Sequence, residues 1–249
     1  MSSEVALVTG AGRGIGRQIA CRLAAEGMAV GLLARTRSQL EETAGLIRGA
    51  GGRALVTPAD VSRRAEVTAA VGAVETQLGP ISVLINNAGG YLRKRFLEIT
   101  EEELDLQFRV NTYGPFLCAQ AVVGAMARRR RGTIIFVLGS ESRGGPALYA
   151  AYNASKNAQR AVAEAVAHEF MHLGVHCATL DIDGPVDSER VRSAMPGTDP
   201  SHLVPPAAVC DEIVHLIRQP PGAWSFAVDL RSFVQWRPRA AAKKPGGDS

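Results

Sequence analysis

The sequence predicts a doubly wound α/β domain, in which one parallel sheet of about seven strands carries helices on both faces. Short apolar runs alternate along the chain with helix-like stretches of ten or more residues. Strands that are apolar throughout are typical of parallel sheets covered on both faces. The chain has 249 residues, 46% of them hydrophobic, so it is long enough to bury the core of one such domain.

The predicted elements follow one another in strand–helix order. Seven apolar runs have the composition of strands, and they cover residues 5–9, 29–34, 53–57, 81–85, 133–138, 175–180 and 224–230. Apolar residues at helical spacing, such as Ile15, Ile19 and Leu23 in the first helix, mark the stretches 14–27, 38–48, 66–78, 101–127, 152–173 and 206–218. The stretch 101–127 is interrupted near Gly114-Pro115.

Two segments lie outside this alternation. Residues 183–206 are rich in Gly, Pro and Ser, and they form a candidate lid because long loops in compact domains are often functional. The tail 238–249 is expected to be disordered. We therefore assign residues 1–237 to one domain.

Composition excludes several classes of protein. No apolar run approaches the roughly 18 residues of a membrane helix, and Met1-Ser2-Ser3-Glu4 does not begin a signal peptide. The cysteines are scattered without a C-x-x-C pair and are expected to be buried thiols in a reducing compartment, namely Cys21, Cys118, Cys177 and Cys210. We expect a cytoplasmic protein without a membrane partner.

The net charge of +4 includes one dense basic run, Arg128 to Arg131. These arginines follow a helical stretch, where cations complement the helix dipole. A nucleic-acid surface would interleave basic residues with aromatic ones along a face. We therefore expect no nucleic-acid partner, and DNA binding through this run is the less favoured alternative.

Three histidines follow at four-residue intervals, His168, His172 and His176. This spacing is known from metal sites on helices. However, His176 lies beyond Gly174, in the next predicted strand, so the three cannot share one helix face. We expect no metal.

A glycine-rich turn follows the first strand, from Thr9 to Gly16 (TGAGRGIG), and opens the first helix. In this context backbone amides can approach a pyrophosphate at the helix N-terminus. The alternative is a tight turn that needs glycine for shape alone.

The position after the second strand favours NADP(H): Ala34 stands where an acidic residue would bind the ribose of NAD, and Arg35 follows. Arg13 could reach the same phosphate, since guanidinium groups bind phosphate in a forked geometry. Alternatively, Arg35 and Arg37 only solvate the next helix.

Tyr152 and Lys156 stand four residues apart in the predicted helix 152–173, so they project from the same face. A phenol with its ordinary pKa near 10 is a poor acid–base catalyst at neutral pH. A nearby ammonium group would lower that pKa and bring it towards the operating range. By itself such a pair is common and usually structural.

Three motifs together resemble the short-chain dehydrogenase/reductase family, in particular its NADP-dependent members that are similar to 3-oxoacyl-carrier-protein reductases. The motifs are Thr9-Gly-x-x-x-Gly14-x-Gly16, Asn86-Asn87-Ala88-Gly89 and Tyr152-x-x-x-Lys156, in the order and spacing of that family. The likeness extends from about residue 5 to residue 188. It implies a Rossmann-type domain that carries cofactor and active site together.

The resemblance also implies a role for individual residues. Tyr152 would exchange the proton with the carbonyl or alcohol, Lys156 would bind the nicotinamide ribose and lower the tyrosine pKa, and Asn111 would hold a proton-relay water. The expected cofactor-binding set is Gly10, Gly12, Arg13, Gly14, Ile15, Gly16, Arg35, Asp60, Val61, Asn87, Ala88, Gly89, Tyr152, Lys156, Gly184 and Val186. Within it, Asp60 and Val61 would flank the adenine, and Gly184 and Val186 would lie beside the nicotinamide carboxamide.

The residue that polarises the substrate carbonyl is expected at Ser140, after the fifth strand. Its separation from Tyr152 is one residue shorter than is usual in the family, so Ser142 is a competitor. The structural alternative, a serine that satisfies strand-end amides, applies more to Ser142.

Two departures from the family pattern concern the last third of the chain. Asp183 replaces the proline that the family usually has before Gly184, which is expected to loosen this loop and to add a carboxylate near the site. The last strand ends in Ala227-Val228-Asp229-Leu230 instead of a pair of glycines. That difference puts the usual tetramer contact in doubt.

The expected function is therefore NADPH-dependent reduction of a ketone or aldehyde, reversible in principle. A 3-oxoacyl thioester and a hydroxylated, aromatic or steroid-like ketone are comparable substrate classes. The candidates for the pocket wall are Tyr91, Leu92, Arg93 and Phe96. The alternatives are an NAD-dependent alcohol dehydrogenase of the same family and a non-catalytic dinucleotide-sensing regulator. A homodimer or homotetramer is expected, because similar proteins pair their two Ala-rich helices across a subunit interface.

Overall fold

The computed structural model describes residues 4–139 and 147–232, apart from the side chain of Arg190. In these residues seven parallel strands form one sheet in the order β3-β2-β1-β4-β5-β6-β7. The strands are β1 (Val5–Thr9), β2 (Ala29–Ala34), β3 (Arg53–Pro58), β4 (Ile81–Asn86), β5 (Gly132–Gly139), β6 (Val175–Asp183) and β7 (Ala227–Arg231). The predicted doubly wound sheet is confirmed.

The helices cover both faces of this sheet. Within the described ranges they are α1 (Gly14–Ala25), α2 (Arg37–Gly49), α3 (Arg64–Gln77), α4 (Glu101–Phe108), α5 (Gly114–Arg129), α6 (Ala150–Phe170), α7 (Glu189–Ala194) and α8 (Pro206–Arg218). One core lies under α1, α2 and α8 and includes Ile19, Leu40 and Ile213. The other lies under α3, α5 and α6 and includes Val74 and Phe136.

The chain reverses its direction of winding between β1 and β4. The β1 strand pairs with β2 on one side and with β4 on the other. In open parallel sheets the crevice at this point, beyond the carboxyl ends of the strands, is where ligands bind. The glycine turn after β1 and the Asn86-Asn87 motif after β4 both lie there.

The predicted helix 101–127 is interrupted directly before Gly114-Pro115, as expected. Residues Arg109–Tyr113 form a π-helical turn between α4 and α5, and Gly114-Pro115 then begins the new helix, with proline in its first turn. Proline is tolerated there because the first amides of a helix have no internal partner. A Cβ atom at Gly114 would lie 2.7 Å from Val61 Cγ2, so glycine lets α5 approach the loop after β3.

The chain between β6 and α8 contains more structure than a loop. It includes α7, a 3₁₀ turn at Pro200–His202 and a parallel bridge between Val186 and Val204. The last strand also begins later than predicted, at Ala227. The residues before Ala227 make side-chain contacts that are not part of the sheet ladder. Trp224 stacks on His176 with ring centroids 5.0 Å apart, and the Ser225 amide donates to Gln219 Oε1.

The basic run 128–131 ends α5, as expected, and its arginines bind other parts of the chain. Arg129 Nη2 donates to the Ile81 carbonyl over 2.7 Å, and Arg131 forms an ion pair with Glu4. Arg130 has a φ of 51° and ends the helix in the left-handed conformation. These contacts give the run a role in the fold.

The four thiols are free of disulfide bonds. Burial raises the pKa of Cys118 and of Cys177 to about 12. Cys21 differs from the expectation of a buried thiol, because it is only partly buried on α1. In the part of the chain that is described, no helix is both long and apolar enough to cross a membrane.

Candidate active site

The glycine turn after β1 is tightly built. Gly10 and Gly14 have φ angles of 69° and 55°, a region that glycine adopts without steric cost. A Cβ atom at Gly16 would lie 2.2 Å from the Gly10 carbonyl oxygen and 2.5 Å from Asn87 Nδ2. These positions therefore require glycine for the shape of the turn, whichever ligand it binds.

The start of α1 is suited to an anion. Its N-cap residue, Arg13, makes no side-chain capping bond, and the first turn contains no acidic residue. The first amides of a helix have no intrahelical acceptor, and the helix dipole favours negative charge near them. Arg13 and Gly14 are exposed, whereas Gly12 and Gly16 are buried. A pyrophosphate group fits this end of the helix.

The motif after β4 is bound to the glycine turn. Thr9 Oγ1 accepts from the amides of Asn87 and Ala88 over 3.0 and 2.9 Å, and Asn87 Nδ2 donates to the Thr9 carbonyl over 2.9 Å. A Cβ atom at Gly89 would lie 3.3 Å from Asn111 Oδ1 and 3.6 Å from Lys156 Nζ. The three sequence motifs thus meet at the carboxyl ends of β1 and β4.

Two arginines lie near the end of β2 in different environments. Arg37 forms an exposed ion pair with Glu41 over 3.7 Å. Arg35 is exposed directly after the strand, and its positive charge acts on the Asp60 carboxylate across the ends of β2 and β3. Arg35 is therefore the arginine available to a phosphate at this end of the crevice.

Asp60 and Val61 follow β3 and are held locally. Burial raises the pKa of Asp60, but the hydrogen bonds from the Ser62 amide and hydroxyl, at 2.9 and 2.8 Å, outweigh it, so that the pKa lies below its usual value. Val61 is buried. The carboxylate of Asp60 therefore stabilises the turn directly after β3.

Tyr152 and Lys156 lie one turn apart on α6. Tyr152 is partly exposed and Lys156 is buried, so the phenol is nearer the solvent side. The Lys156 ammonium donates to the Val137 carbonyl over 3.1 Å and to Gln159 Oε1 over 3.0 Å. The first of these bonds ties α6 to β5.

The π-helical turn brings Asn111 into this network. The Asn111 side chain is fully buried, accepts from the Gly90 amide over 2.7 Å, and approaches Gln107 Oε1 and Ser155 Oγ as a donor over 3.1 and 2.9 Å. Ser155 Oγ in turn donates to the Tyr152 carbonyl over 2.8 Å. From the π-helical turn, Asn111 therefore joins α4, α6 and the segment after β4. π-Turns often occur at functional sites.

An ion pair holds α6 farther along. Arg160 Nη2 bonds Asp181 Oδ1 on β6 over 2.5 Å, and the two side chains are 16% and 3% exposed. Lys156 and Arg160 are four residues apart, so both contacts lie on the same face of the helix. This face is the one that packs on β5 and β6.

Three tyrosines line the mouth of the site. The Tyr91 ring packs edge-on against Tyr152, with centroids 5.3 Å apart, and its hydroxyl bonds that of Tyr149 over 2.9 Å. Tyr91 is half exposed and Phe96 is 76% exposed. Of the expected wall residues, Tyr91 therefore borders Tyr152 directly.

The sequence suggested that Asp183 adds a carboxylate near the site, but in the structure this carboxylate is paired. It forms an ion pair with Arg231 on β7, with Nη1 and Oδ2 2.9 Å apart. Gly184, with a φ of 124°, follows at once, and Val186 pairs with Val204. The loop that is expected beside the nicotinamide is thus anchored by an ion pair.

Sequence reasoning missed several residues of this region. Tyr149 bonds Tyr91, Gln107 bonds Asn111, and Gln159 bonds Lys156. The signal for Tyr149, Gln107 and Gln159 was helical spacing of three or four residues from Tyr152, Asn111 and Lys156. Ser140 and its competitor Ser142 lie outside the described residues, as does the tail 238–249.

The three histidines are separated as expected, since His176 lies in β6 and the others do not. Within the described ranges no group of three or more His, Cys, Asp or Glu side chains could hold a metal ion.

The chain is similar to known oxidoreductases. A family model described as short chain dehydrogenase matches residues 4–196. The short-chain reductase protein NovJ of Streptomyces niveus is 40% identical over 182 residues, which cover 73% of this chain and 68% of NovJ. The L-2,3-butanediol dehydrogenase of Corynebacterium glutamicum is 35% identical over 175 residues, covering 69% of this chain and 68% of that enzyme.

The chain is also similar to solved structures of oxidoreductases. The alcohol dehydrogenase of the archaeon Thermococcus sibiricus, complexed with 5-hydroxy-NADP, superposes with a TM-score of 0.85 at 28% identity, over 96% of this chain and 100% of that one. A variant of actinorhodin polyketide ketoreductase with NADPH gives a TM-score of 0.84 at 29% identity, over 92% and 96% of the two chains. From these matches and the motifs that meet in its crevice, the chain belongs to the short-chain dehydrogenase/reductase family of oxidoreductases.

Proposed function

We propose that the protein is an NADP(H)-dependent carbonyl reductase, which reduces a ketone or aldehyde to an alcohol in a reversible reaction. One observation carries the proposal: the glycine turn, the Asn87-Ala88-Gly89 segment and the Tyr152/Lys156 pair meet in one crevice. A protein that only senses a dinucleotide would not need Tyr152, Lys156 and Asn111 together.

The residues of the crevice fit a nicotinamide dinucleotide. The uncapped start of α1 and Arg13 would hold the pyrophosphate, and Arg35 would bind the extra phosphate of NADP. Asp60 and Val61 would border the adenine, whereas Gly184 and Val186 would lie at the nicotinamide. Bound NADPH would supply the hydride.

The remaining roles belong to side chains of the chain itself. Tyr152 donates a proton to the carbonyl oxygen during reduction, and Lys156 stabilises its phenolate and lowers its pKa. Asn111 holds α4 and α6 together at the proton path. Ser140, directly after β5, polarises the carbonyl oxygen.

The proposal extends to substrate and assembly. The tyrosine-lined mouth suits a carbonyl compound with an apolar or aromatic part, and a 3-oxoacyl thioester is the first class to test. One relative is named as a fatty acyl-CoA reductase of Mycobacterium tuberculosis. We further propose a homodimer or homotetramer, since exposed Tyr113 and Phe116 stack on one another at the start of α5. The proposed location is the cytoplasm, where free thiols such as those of this chain stay reduced.

Replacement of Arg35 by alanine tests the cofactor. Arg35→Ala is expected to raise the Kd for NADPH by about 10- to 100-fold, because hydrogen bonds between charged groups contribute about 1.5–3 kcal/mol. The Kd for NADH is expected to stay the same. Both constants are measured by titration with nicotinamide fluorescence as the signal.

The matched control is Arg37→Ala, which removes the neighbouring arginine that pairs with Glu41. It is expected to leave both affinities within about two-fold. A wild-type preference for NADH, or an equal loss of both cofactors in Arg35→Ala, would contradict the NADP assignment and favour the NAD-dependent alternative. Binding of neither cofactor would contradict the proposed function.

A further inference from the structure

The two ends of the lid, residues 183–206, are joined to each other. Val186 and Val204 form a parallel bridge, the Val204 amide donates to the Pro185 carbonyl over 2.9 Å, and the Asp187 amide donates to the Val204 carbonyl over 3.0 Å. The lid therefore leaves β6 and reaches α8 through one narrow stem. Any contact that positions the stem also positions what lies between its ends.

Two adjacent residues at the end of β7 hold this stem. Arg231 forms the ion pair with Asp183, its neighbour in the β6–β7 register. The next residue, Ser232, is buried and donates its hydroxyl to the Ser201 carbonyl, near the far end of the lid. We call Arg231 and Ser232 the β7 clamp.

The backbone after Asp183 explains why a clamp is needed. Gly184 has a φ of 124°, a conformation that favours glycine, and glycine loses more conformational entropy on ordering than any other residue. The family's usual proline before this glycine would restrict the backbone. Here the restriction comes from an ion pair whose side chains are 25% and 19% exposed, and partly buried pairs are less screened by salt than exposed ones.

We propose that the β7 clamp is a positioning device for the cofactor: Arg231, through Asp183, and Ser232, through Ser201, hold the lid stem where Gly184 and Val186 meet the nicotinamide. This inference rests on the proposed function and adds two residues to it. The clamp acts on affinity for NADPH and substrate. The clamp takes no part in the transfer of the proton or the hydride.

The test compares cofactor affinity with turnover. Asp183→Asn and Arg231→Gln are each expected to raise the Kd for NADPH about five-fold, with a similar rise in the KM of the carbonyl substrate and kcat within about two-fold of wild type. Arg231→Lys keeps the charge and is expected to recover most of the affinity. The exchange of both residues, Asp183→Arg with Arg231→Asp, is expected to bind more tightly than either charge reversal alone.

Controls separate the clamp from general stability. Arg218→Gln breaks an ion pair with Glu26, at the end of α1, in which the Arg218 side chain is 65% exposed, and it is expected to change neither Kd nor KM. Ser232→Ala tests the second contact and is expected to raise the Kd about three-fold, which keeps the test valid if the charge variants do not fold.

Each result has a distinct meaning. Wild-type NADPH affinity in Asp183→Asn, Arg231→Gln and Ser232→Ala would overturn the clamp and leave the proposed function intact. A loss of kcat at unchanged Kd would also overturn it. Failure of the wild-type protein itself to bind NADPH would overturn the proposed function, and the clamp with it.

Discussion

Tyr152→Phe is expected to lower kcat for carbonyl reduction by about a thousand-fold, because general acid catalysis contributes about 10²–10⁴ to a rate. The variant keeps the ring that packs on Tyr91, so folding is expected to be unaffected. The Kd for NADPH is expected to stay within about three-fold, since only one hydroxyl is lost. The measurements are the initial rate of NADPH oxidation with a panel of ketones and a separate fluorescence titration.

The control for this change is Tyr113→Phe. Tyr113 lies at the end of the π-helical turn, is 47% exposed and stacks on Phe116, so its variant removes a hydroxyl outside the crevice. It is expected to keep the wild-type rate. Equal rates for Tyr152→Phe and wild type, on a substrate that wild type reduces, would contradict the proposed role of Tyr152 and favour a proton donor elsewhere.

Gly16→Ala is the second change with a large expected effect. The new Cβ atom would lie 2.2 Å from the Gly10 carbonyl oxygen, a distance at which backbone must move because no flexible side chain can yield. Overpacking of this kind lowers the free energy of unfolding by about 1–3 kcal/mol. For a chain of this size each kcal/mol lowers the melting temperature by about 2–4 °C. The Kd for NADPH is expected to rise more than about 100-fold, since the turn that should hold the pyrophosphate is displaced.

Gly45→Ala is the matched control, because it makes the same chemical change in α2. A Cβ atom at Gly45 would meet nothing within 4 Å, and alanine is preferred to glycine inside a helix by about 1 kcal/mol. The melting temperature is expected to rise slightly and cofactor affinity to stay the same. Wild-type affinity in Gly16→Ala would contradict the assignment of the glycine turn to the cofactor.

The order of the elements could be predicted because each strand is an apolar run with a longer amphipathic stretch behind it. The boundaries of α8 agree with the prediction. The start of β7 does not, because Trp224 and Ser225 make side-chain contacts with His176 and Gln219 that no periodicity reveals. The π-helical turn was also missed, since a single widened turn leaves the spacing of apolar residues almost unchanged.

The residues of the candidate site could likewise be predicted only in part. Glycine positions such as Gly16 and short-range pairs such as Tyr152 and Lys156 could be found in the sequence, because their spacing is itself the signal. The partner of Asp183 could not, because Arg231 is 48 residues away and only the β6–β7 register brings the two together. Asp183 was therefore expected to loosen a loop that the structure ties to β7.

The ion pair and the hydrogen bond that two charged side chains make from one face of α6 have a consequence for the energetics of turnover. Lys156 is bonded to the end of β5 and Arg160 to a carboxylate on β6 that is 3% exposed. To slide or roll the helix would separate a buried charge from its partner, at a cost of about 3–5 kcal/mol. The position of Tyr152 on α6 is thus set when the chain folds. In the proposed reaction little movement of the helix would be left for each turnover, in which a misplacement of 1 Å can cost about a hundred-fold in rate.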